Sequence, residues 1–504
     1  MSKALRLLTV LLCLLIPLAL VACDQGADDD DDDQTADDDD LDDDDLDDDA
    51  DDDDDTQDPD WDFIVDEQGR ALILHGCNFD GGAKWNAGLP PQGVEQTQSL
   101  FGDWGFNFAR YLIFRAEIDP EPGVYNEDYL GQVETRLDWL EQAGIRVVLD
   151  MHQDVWGPEF HSGGSDGAPP WATITDGVPH IPFAQLLGAW ALDYLSPAVM
   201  RAFDNFWDYE LHPELQDLYA AMWVHVVQRF KDHPSVLGYD LINEPWEGTG
   251  IYNQGRFDRT KYFEFNQRMI DAIRSADQEG WIFYEPRAFG PNQGLPSHLP
   301  ALDDPRPGAQ RLAYFPHMYS ILVELEGGYD PLRDPILEDW PRNRTIESEL
   351  QRAPLLAGEW SLLTWPDLEN RLLFNDAALR MFESATSGWA YWDCGSFERS
   401  PLELQELIAS PFPRAVAGWP LEYGYDQSAR ELSLTFEARD NVEGPTEIYL
   451  PLSRCCPDGY AIEVSGVAED GWHSEFNDDS QLLSIWIDET FTEATISIFA
   501  AQPQ

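Results

Sequence analysis

A repeat of short apolar segments separated by amphipathic stretches constrains the fold of this chain more than any other feature. The segments with strand-like composition are Ala71–Phe79, Phe106–Phe114, Ile145–Asp150, Leu237–Ile242, Trp281–Glu285, Leu312–Tyr319, Pro354–Trp360 and Trp389–Asp393. Apolar residues recur at helical spacing between them, for example in Tyr129–Ala143, Glu214–Asp232 and Tyr262–Ala276. Eight such units predict a parallel (β/α)8 TIM barrel. An open doubly wound sheet is the alternative, but no Gly-rich phosphate loop follows the first segment.

The pattern changes after residue 412. Short segments of alternating apolar and polar residues follow, separated by Asp, Asn, Gly and Pro: Glu431–Glu437, Thr446–Leu452, Ala461–Val464 and Leu482–Ile487. Alternation with period two is typical of strands that bury one face. We therefore expect a barrel over residues 61–412 and an antiparallel β-sandwich over residues 413–504.

The first residues have the pattern of an export signal. Lys3 and Arg6 precede the apolar run Leu7–Ala22, which is too short for a confident membrane span. Leu20–Cys23 resembles the bacterial lipobox, in which the cysteine is lipidated and becomes the mature N-terminus. We expect residues 1–23 to be a lipoprotein signal and Cys23 to anchor an exported protein to the cell envelope or cell surface. A released, secreted form is the alternative.

Residues 24–60 are mostly Asp, with a few Leu, Ala, Thr and Gln. Because like charges repel and the apolar residues are too few to form a core, we expect a disordered, extended tether. The formal net charge of the chain is −66, and the part outside this run is also acidic. Such a charge argues against nucleic-acid binding, which needs a basic surface. We expect a monomer that needs no cofactor and no metal.

The cysteines outside the signal match no zinc motif. They are Cys77, Cys394, Cys455 and Cys456. We expect each to be a buried apolar residue without a disulfide. The alternative is a bridge from the adjacent pair to a distant partner in an oxidising compartment, since neighbouring cysteines pair poorly with each other.

Polar residues and two tryptophans occur at or just beyond the ends of six predicted strands. They are Asn78 and Lys84, His152 and Asp154, Asn243-Glu244-Pro245, His317 and Tyr319, Gly358-Glu359-Trp360, and Trp392. In a parallel barrel the carboxyl ends of the strands meet at one face, which is where active sites lie. The sequence therefore predicts a polar site at that face.

Glu244 and Glu359 are the candidate catalytic pair within this set. Hydrolysis of a glycosidic bond needs a proton donor for the leaving oxygen and, in the retaining mode, a second carboxylate that attacks the anomeric carbon. The fourth and seventh strands face each other across the barrel, so the two carboxylates are expected roughly 5 Å apart. Glu244 must carry a proton while Glu359 is ionised.

These motifs carry a family resemblance. Asn243-Glu244-Pro245 and Gly358-Glu359-Trp360 resemble the acid/base and nucleophile motifs of the 4/7 superfamily of retaining glycosidases, to which cellulases belong. Five further segments resemble endoglycoceramidase: Gly81–Trp85, Asp150–Asp154, Gly167–Trp171, Pro316–Tyr319 and Arg414–Gly418. The resemblance implies a barrel with a C-terminal β-sandwich that cleaves the bond between the oligosaccharide and the ceramide of glycosphingolipids.

The resemblance also implies roles for individual residues. Glu244 is expected to be the acid/base, Glu359 the nucleophile, and Asn243 the donor to the sugar 2-hydroxyl. Tyr319 is expected to contact Glu359. The remaining substrate-binding candidates are Lys84, His152, Asp154, His317 and Trp392, of which Trp392 is expected to stack beneath the sugar. Trp360 and Trp389 are alternatives for that stacking position, and His152 is nearly as compatible with a structural role.

A long insertion, residues 157–209, separates the third and fourth strands. It is rich in aromatic and aliphatic residues: Trp171, Leu186, Leu187, Trp190, Tyr194, Leu195, Met200, Phe203, Phe206 and Trp207. Long insertions at a catalytic face are usually functional. Two hypotheses are open, an apolar trench that binds ceramide and touches a membrane, and a helical subdomain with its own core.

The leading hypothesis is a retaining endo-β-glycosidase acting on glycosphingolipids. Alternatives within the same chemistry are an exo-type glucosyl- or galactosylceramidase and a cellulase-like β-glucanase. An alternative of another class is a non-catalytic, glycan-binding surface lipoprotein, against which the intact glutamate pair argues.

Overall fold

The computed structural model describes residues 61–160, 166–187, 190–320, 323, 328–363 and 366–501. The predicted signal, Cys23 and the Asp-rich tether lie outside these residues. Within the described part, no helix combines the length and the apolar composition needed to span a membrane.

Eight parallel strands form the barrel that the sequence predicts. Preceded by the short strand β1 (Ala71–Leu72), they are β2 (Leu74–Phe79), β3 (Phe108–Ile113), β4 (Arg146–Met151), β5 (Val236–Asp240), β6 (Trp281–Tyr284), β7 (Leu312–Tyr314), β8 (Leu356–Trp360) and β9 (Gly388–Tyr391). Their order in the sheet is β7-β6-β5-β4-β3-β2-β9-β8. Parallel bridges from Tyr314 to Leu355 and from Met318 to Trp360 join the two ends of this sheet. The (β/α)8 fold is thus confirmed.

Helices connect and flank these strands. The α-helices of the described residues are α1 (Val94–Gly102), α2 (Arg115–Ile118), α3 (Glu127–Gln142), α4 (Phe183–Leu187), α5 (Pro197–Trp207), α6 (Pro213–Phe230), α7 (Gln254–Phe257), α8 (Phe263–Ala276), α9 (Ile336–Gln351), α10 (Leu368–Ala385), α11 (Cys394–Glu398), α12 (Leu402–Ile408) and α13 (Leu452–Cys455). Helix α3 is an example of an amphipathic, capped helix. Asn126 caps its N-terminus, and its buried face consists of Leu130, Val133, Leu137 and Leu140.

Two strands depart most from their predicted bounds. Residues 71–79 divide, because β1 pairs with a strand of the C-terminal domain and only β2 enters the barrel. The strand predicted over Leu312–Tyr319 ends at Tyr314. Pro316 has no N–H to donate to a neighbouring strand, so the regular ladder stops just before it.

Apolar residues fill the barrel near the amino ends of its strands. Leu74, Phe108 and Leu356 each begin a strand and belong to one buried cluster with Phe283 and Phe315. Because this end is closed by packed side chains, the polar residues at the carboxyl ends have an apolar floor beneath them.

The C-terminal domain consists of two antiparallel sheets. Its remaining strands are β10 (Phe412–Val416), β11 (Trp419–Asp426), β12 (Glu431–Glu437), β13 (Thr446–Tyr449), β14 (Tyr460–Ser465), β15 (Trp472–Asn477), β16 (Leu482–Ile487) and β17 (Glu493–Ala500). One sheet has the order β1-β10-β13-β16-β15 and the other β11-β12-β17-β14. In β12, Leu432, Leu434 and Phe436 alternate with less buried residues and enter the core. The predicted sandwich is therefore present.

His75 lies where the barrel meets this domain. Its ring stacks on Trp389 at 4.4 Å and on Phe412 at 3.9 Å between ring centroids. Burial lowers the pKa of His75 to about 3. The imidazole is therefore neutral at physiological pH and acts as a flat packing element between the two domains.

The expectation of unpaired cysteines is wrong for two of the four. Cys77 in β2 and Cys394 at the start of α11 form a disulfide, with their Cα atoms 5.2 Å apart. Strands β2 and β9 are neighbours and pair Cys77 with Tyr391, which brings residue 394 close to Cys77 although the two are 317 residues apart in sequence. Cys455 and Cys456 are buried and unpaired, as expected.

The insertion after β4 is largely helical. Helices α4 and α5 and the 3-10 turn Trp190–Leu195 lie in it, and Phe203, Phe206 and Trp207 are buried in an aromatic cluster. Phe206 and Trp207 also pack on Phe265 of α8, so the buried face of the insertion is continuous with the barrel helices and is not a separate core. Leu186 and Trp190 differ, with 67% and 51% of their surface exposed.

Candidate active site

Glu244 and Glu359 lie together at the carboxyl end of the barrel. Glu359 is in β8, and Glu244 follows β5 with a φ of +41°, a left-handed conformation that non-glycine residues rarely adopt. One side-chain oxygen from each lies within 4.8 Å of the other, with His317 beside both. The Nδ1 atom of His317 is 3.1 Å from Glu244 Oε1 and 3.6 Å from Glu359 Oε2.

Two donors orient the carboxylate of Glu359. Arg110 Nη1 donates to Oε1 over 2.7 Å and the Tyr319 hydroxyl donates to Oε2 over 2.8 Å. Burial raises the pKa of Glu359, while the positive charges of His317 and Arg110 act in the opposite direction. The result is a nearly enclosed carboxylate whose negative charge is met by two cations and a phenol.

The surroundings of Glu244 are more open. Its side chain is 14% exposed, compared with 5% for Glu359. Asn292 Nδ2 donates to Glu244 Oε1 over 2.8 Å, the same oxygen that His317 Nδ1 approaches. Both neighbours therefore engage one oxygen, which leaves Oε2 as the oxygen available for proton transfer.

Arg110 lies at the centre of a network of buried charges. It is fully buried in β3, and its guanidinium contacts carboxylates from four other strands or strand ends. The ion pairs are to Asp150, Asp240 and Glu285 at 2.9 Å and to Glu359 at 2.7 Å. Burial alone would lower the pKa of Arg110, but these carboxylates raise it well above its usual range.

Asn243 is held in place by both ends of its amide. Its Oδ1 accepts from Arg110 Nη2 over 2.9 Å, and its Nδ2 donates to the carbonyl of Gln153 over 2.9 Å. Since an amide nitrogen carries two hydrogens, one remains for a further acceptor. Asn78 is also part of this network, because its Oδ1 accepts from Arg110 Nη1 over 3.0 Å.

A second group surrounds Trp392. Lys84 forms an ion pair with Asp154, and its ammonium lies 4.5 Å from the centre of the Trp392 ring. His152 stacks against Trp392 with ring centroids 5.6 Å apart and contacts Asp150 through Nδ1 at 2.7 Å. Burial and the charge of Lys84 lower the pKa of His152 well below its usual value, so its ring is neutral.

Among the tryptophans considered for this position, only Trp392 is partly exposed. Trp360 and Trp389 are completely buried and contact each other edge to face at 5.5 Å. A ring without exposed surface cannot contact a sugar, so these two are core residues. The glycine before Glu359 has a packing reason as well, since a Cβ at Gly358 would lie 2.9 Å from the ring of His317.

Four charged residues of the site were not predicted from the sequence: Arg110, Asp150, Asp240 and Glu285. The available signal was the presence of Arg110 and Asp240 within otherwise apolar strands. A strand buried on both faces can hold a charge only when that charge is paired. Asn292 lies in the 3-10 helix Pro291–Gln293 that follows β6, and no sequence feature singled it out.

Three groups in the described residues have enough ligand atoms close together for a metal ion. They are Asp138, Glu141 and His233; His152, Asp154 and Asp166; and Glu244, His317 and Glu359. The first is at the surface. Lys84 already supplies a positive charge to the second, and Arg110 and His317 supply it to the third, so a metal ion would compete with cations of the protein itself.

A TIM barrel with two close carboxylates at its carboxyl-terminal face, one hydrogen-bonded by Arg and Tyr, defines a glycoside hydrolase of the retaining type. A family model described as cellulase (glycosyl hydrolase family 5) matches residues 65–398. A second, described as the glycoside hydrolase family 5 C-terminal domain, matches residues 411–498. The chain belongs to glycosyl hydrolase family 5.

Individual relatives agree with this assignment. The chain is 28% identical over 431 residues to endoglycoceramidase I of Rhodococcus hoagii (strain 103S), covering 82% of each chain. It resembles the solved structure of endo-glycoceramidase II from Rhodococcus sp. in complex with ganglioside GM3, with 33% identity and a TM-score of 0.79 over 87% of this chain and 99% of that one. The lactosyl-enzyme intermediate of the same enzyme is similar at 34% identity, with a TM-score of 0.77 over 87% and 100%.

Proposed function

We propose that this enzyme is a retaining endo-β-glycosidase that hydrolyses the bond between the oligosaccharide and the ceramide of glycosphingolipids. The observation that carries the retaining chemistry is the proximity of Glu244 and Glu359, whose side-chain oxygens lie within 4.8 Å. Retaining enzymes have their carboxyl groups roughly 5 to 5.5 Å apart, whereas inverting enzymes need roughly 6.5 to 9.5 Å to admit a water molecule between carboxylate and sugar.

In the first step, Glu359 attacks the anomeric carbon and the bond to the ceramide oxygen breaks. Glu244 donates its proton to that oxygen, so ceramide leaves as a neutral alcohol and the glycan is bound covalently to Glu359. Tyr319 and Arg110 hold the two oxygens of Glu359 and fix the direction of attack. Their hydrogen bonds also stabilise the ionised form that attacks.

In the second step, a water molecule takes the position that the ceramide oxygen has left. Glu244, now ionised, accepts a proton from the water, whose oxygen attacks the anomeric carbon and releases Glu359. Because the same carbon is attacked twice, from opposite faces, the product has the configuration of the substrate.

The polar residues around the pair suit the binding of the sugar. Asn243 has one amide hydrogen left for the 2-hydroxyl, an interaction that strengthens as charge develops on the ring. Lys84 and Asp154 together offer a donor and an acceptor to hydroxyl groups. Trp392 offers a partly exposed ring on which the sugar can stack, and His152 contributes by packing against that ring.

The choice of substrate rests on the relatives. The solved structure with 33% identity holds ganglioside GM3, and the one with 34% identity carries a lactosyl group on the enzyme. In both, a glycan of more than one sugar is bound to an endo-glycoceramidase. Similarity across 87% of this chain supports the same substrate class here.

We further propose that the protein is exported, anchored through a lipid on Cys23, and active at a membrane surface. The exposed apolar residues Leu186 and Trp190 support a contact with lipid, and they belong to the insertion that follows the carboxyl end of β4. A Trp at such a position has an apolar body and a polar N–H, which suits the interface between water and lipid. An extended Asp-rich tether would let the anchored enzyme act at a distance from its anchor.

Incubation with ganglioside, lactosylceramide and glucosylceramide, with free glycan and free ceramide measured separately, tests this function. Endo action predicts intact lactose and ceramide in equal amounts from lactosylceramide. Cleavage of glucosylceramide alone would instead show an exo-type glucosylceramidase. A protein that binds these lipids without releasing either product would be a glycan-binding lipoprotein, and the proposal would be wrong.

A further inference from the structure

Glu285 is a buried carboxylate at the end of β6 that the two catalytic steps do not use. It is 1% exposed, and its side chain contacts three parts of the site. Its Oε2 accepts a hydrogen bond from the backbone N–H of Glu244 over 2.9 Å, and its Oε1 accepts one from Arg110 Nη2 over 2.9 Å. The same Oε1 lies 3.2 Å from Nε2 of His317.

The backbone contact bears on the conformation of Glu244. The φ of +41° there is unfavourable for a residue with a side chain, so the surrounding contacts must hold it. The hydrogen bond from its N–H to a buried carboxylate is charge-assisted and therefore strong. Glu285 thus fixes the backbone from which the Glu244 side chain extends.

The contact of Glu285 with His317 also affects the Glu244 side chain, because His317 lies between the two glutamates. Carboxylate oxygens face both ring nitrogens of His317, those of Glu244 and Glu359 at Nδ1 and that of Glu285 at Nε2. The 3.2 Å contact at Nε2 is an ion pair without hydrogen-bond geometry, and negative charge on both sides of the ring favours the form that carries hydrogen on both nitrogens. Burial would lower the pKa of His317, but Glu285 and Glu359 raise it well above its usual value.

A protonated Nδ1 has a direct consequence for the proposed acid. Nδ1 donates to Glu244 Oε1, which also accepts from Asn292 over 2.8 Å. An oxygen that accepts two hydrogen bonds is a poor location for the acidic proton, so the proton of Glu244 is directed to Oε2. Without a carboxylate at Nε2, a neutral ring can keep its single proton there and present Nδ1 as an acceptor. Glu244 Oε1 then loses the hydrogen bond from Nδ1, and the acidic proton is no longer directed to Oε2.

We propose that Glu285 is a positioning residue for proton donation: through the Glu244 backbone and through a doubly protonated His317, it directs the acidic proton of Glu244 toward the leaving oxygen. This inference rests on the proposed acid/base role of Glu244 and not on the ceramide substrate. The other charged groups that face Glu285 and His317 are Arg110, Asp150, Asp240 and Glu359, on β3, β4, β5 and β8.

The test compares leaving groups of different acidity in the variant Glu285→Gln. Phenyl β-lactoside needs protonation of its leaving oxygen, whereas the leaving group of 2,4-dinitrophenyl β-lactoside departs without protonation. We expect kcat/KM to fall about 30-fold or more with the phenyl substrate and about threefold or less with the dinitrophenyl substrate. The alkaline limb of the phenyl profile should move to lower pH, because His317 loses an anionic neighbour and its pKa falls.

 The control is Glu347→Gln, which also neutralises a buried acid that is paired with an arginine of the same helix, α9. That arginine is Arg344, whose Nη2 lies 2.7 Å from Glu347 Oε1, and neither residue contacts Glu244 or Glu359 in the described contacts. We expect the two substrates to respond alike to this control. Equal losses with both substrates in Glu285→Gln, or no loss with either, would overturn the inference while leaving the glycosidase function intact. A wild-type protein that cleaves neither lactoside would overturn both.

A measurement on the unaltered protein covers the case in which the variant does not fold. Spectra of protein labelled with [15N]histidine, with His317 assigned by loss of its signals in His317→Gln, report the protonation of each ring nitrogen. We expect both nitrogens of His317 to carry hydrogen at neutral pH. A ring with a single proton would overturn the inference.

Discussion

Replacement of Arg110 by lysine is the change to which the charge network should respond most strongly. Arg110 makes six side-chain contacts through three nitrogens, to Asn78, Asp150, Asp240, Asn243, Glu285 and Glu359. A lysine ammonium keeps the charge but has a single nitrogen with three hydrogens. At least half of the contacts are therefore lost, although the net charge of the site does not change.

The size of the effect follows from the contacts that cannot be kept. A lost hydrogen bond costs about 1 kcal/mol when both partners are neutral and about 1.5 to 3 kcal/mol when one is charged. Because the arginine is charged, three lost contacts predict a decrease of about 4 to 9 kcal/mol in the free energy of unfolding, and for a folded part of this size a melting temperature lower by about 5 to 10 °C. Because Glu359 and Asn243 lose their orienting donor, kcat/KM should fall about 100-fold, which corresponds to about 2.7 kcal/mol.

Thermal unfolding followed by circular dichroism and hydrolysis of an aryl β-lactoside measure the two effects. Arg380→Lys is the matched control, because Arg380 pairs with Asp376 at the surface and is about half exposed. It should change stability by less than about 0.5 kcal/mol. If Arg110→Lys melted within about 2 °C of the wild type and kept its activity within about fivefold, the network would not be what orients Glu359.

Three further predictions concern separate parts of the molecule. Tyr319→Phe removes a hydrogen bond to the carboxylate of Glu359, so the pKa of that carboxyl should rise further and the acidic limb of the kcat/KM profile should move to higher pH; an unmoved limb would contradict the proposed role of Glu359. Reduction of the bridge between Cys77 and Cys394 should destabilise the wild type by about 2 to 4 kcal/mol and leave the double serine variant unaffected by reductant, as measured by thermal unfolding. The double variant L186D/W190D should lose binding to lactosylceramide vesicles in a flotation assay while hydrolysing a soluble aryl lactoside normally, and unchanged vesicle binding would remove the proposed lipid contact.

The sequence allowed the fold and the two glutamates to be predicted because both depend on local patterns. Eight apolar segments separated by helical periodicity are sufficient for a barrel, and the barrel dictates that strand ends converge. Glu244 and Glu359 stand at such ends, in motifs that also contain the polar and glycine residues their surroundings require. Their closeness is a consequence of barrel closure, which the repeat predicts.

The remaining features depend on side-chain contacts between strands that are distant in sequence. Arg110 and Asp240 were visible as charges within apolar strands, but their partner residues are set by the stagger of neighbouring strands. The pairing of Cys77 with Cys394 depends in the same way on the register of β2 against β9. The role of Glu285 depends on the positive φ of Glu244. Glutamate seldom adopts a positive φ, so nothing in the sequence indicates this conformation.

Azide rescue of Glu359→Gly tests the central claim, that Glu359 is the nucleophile and Glu244 the acid/base, most directly. The variant should not hydrolyse 2,4-dinitrophenyl β-lactoside in water, but with azide it should turn over and release α-lactosyl azide, because a single displacement inverts the anomeric carbon. Glu244→Gly under the same conditions should release β-lactosyl azide, since azide then attacks the glycosyl-enzyme in a second displacement. Absence of rescue in Glu359→Gly, or a β-azide product from it, would contradict the assignment.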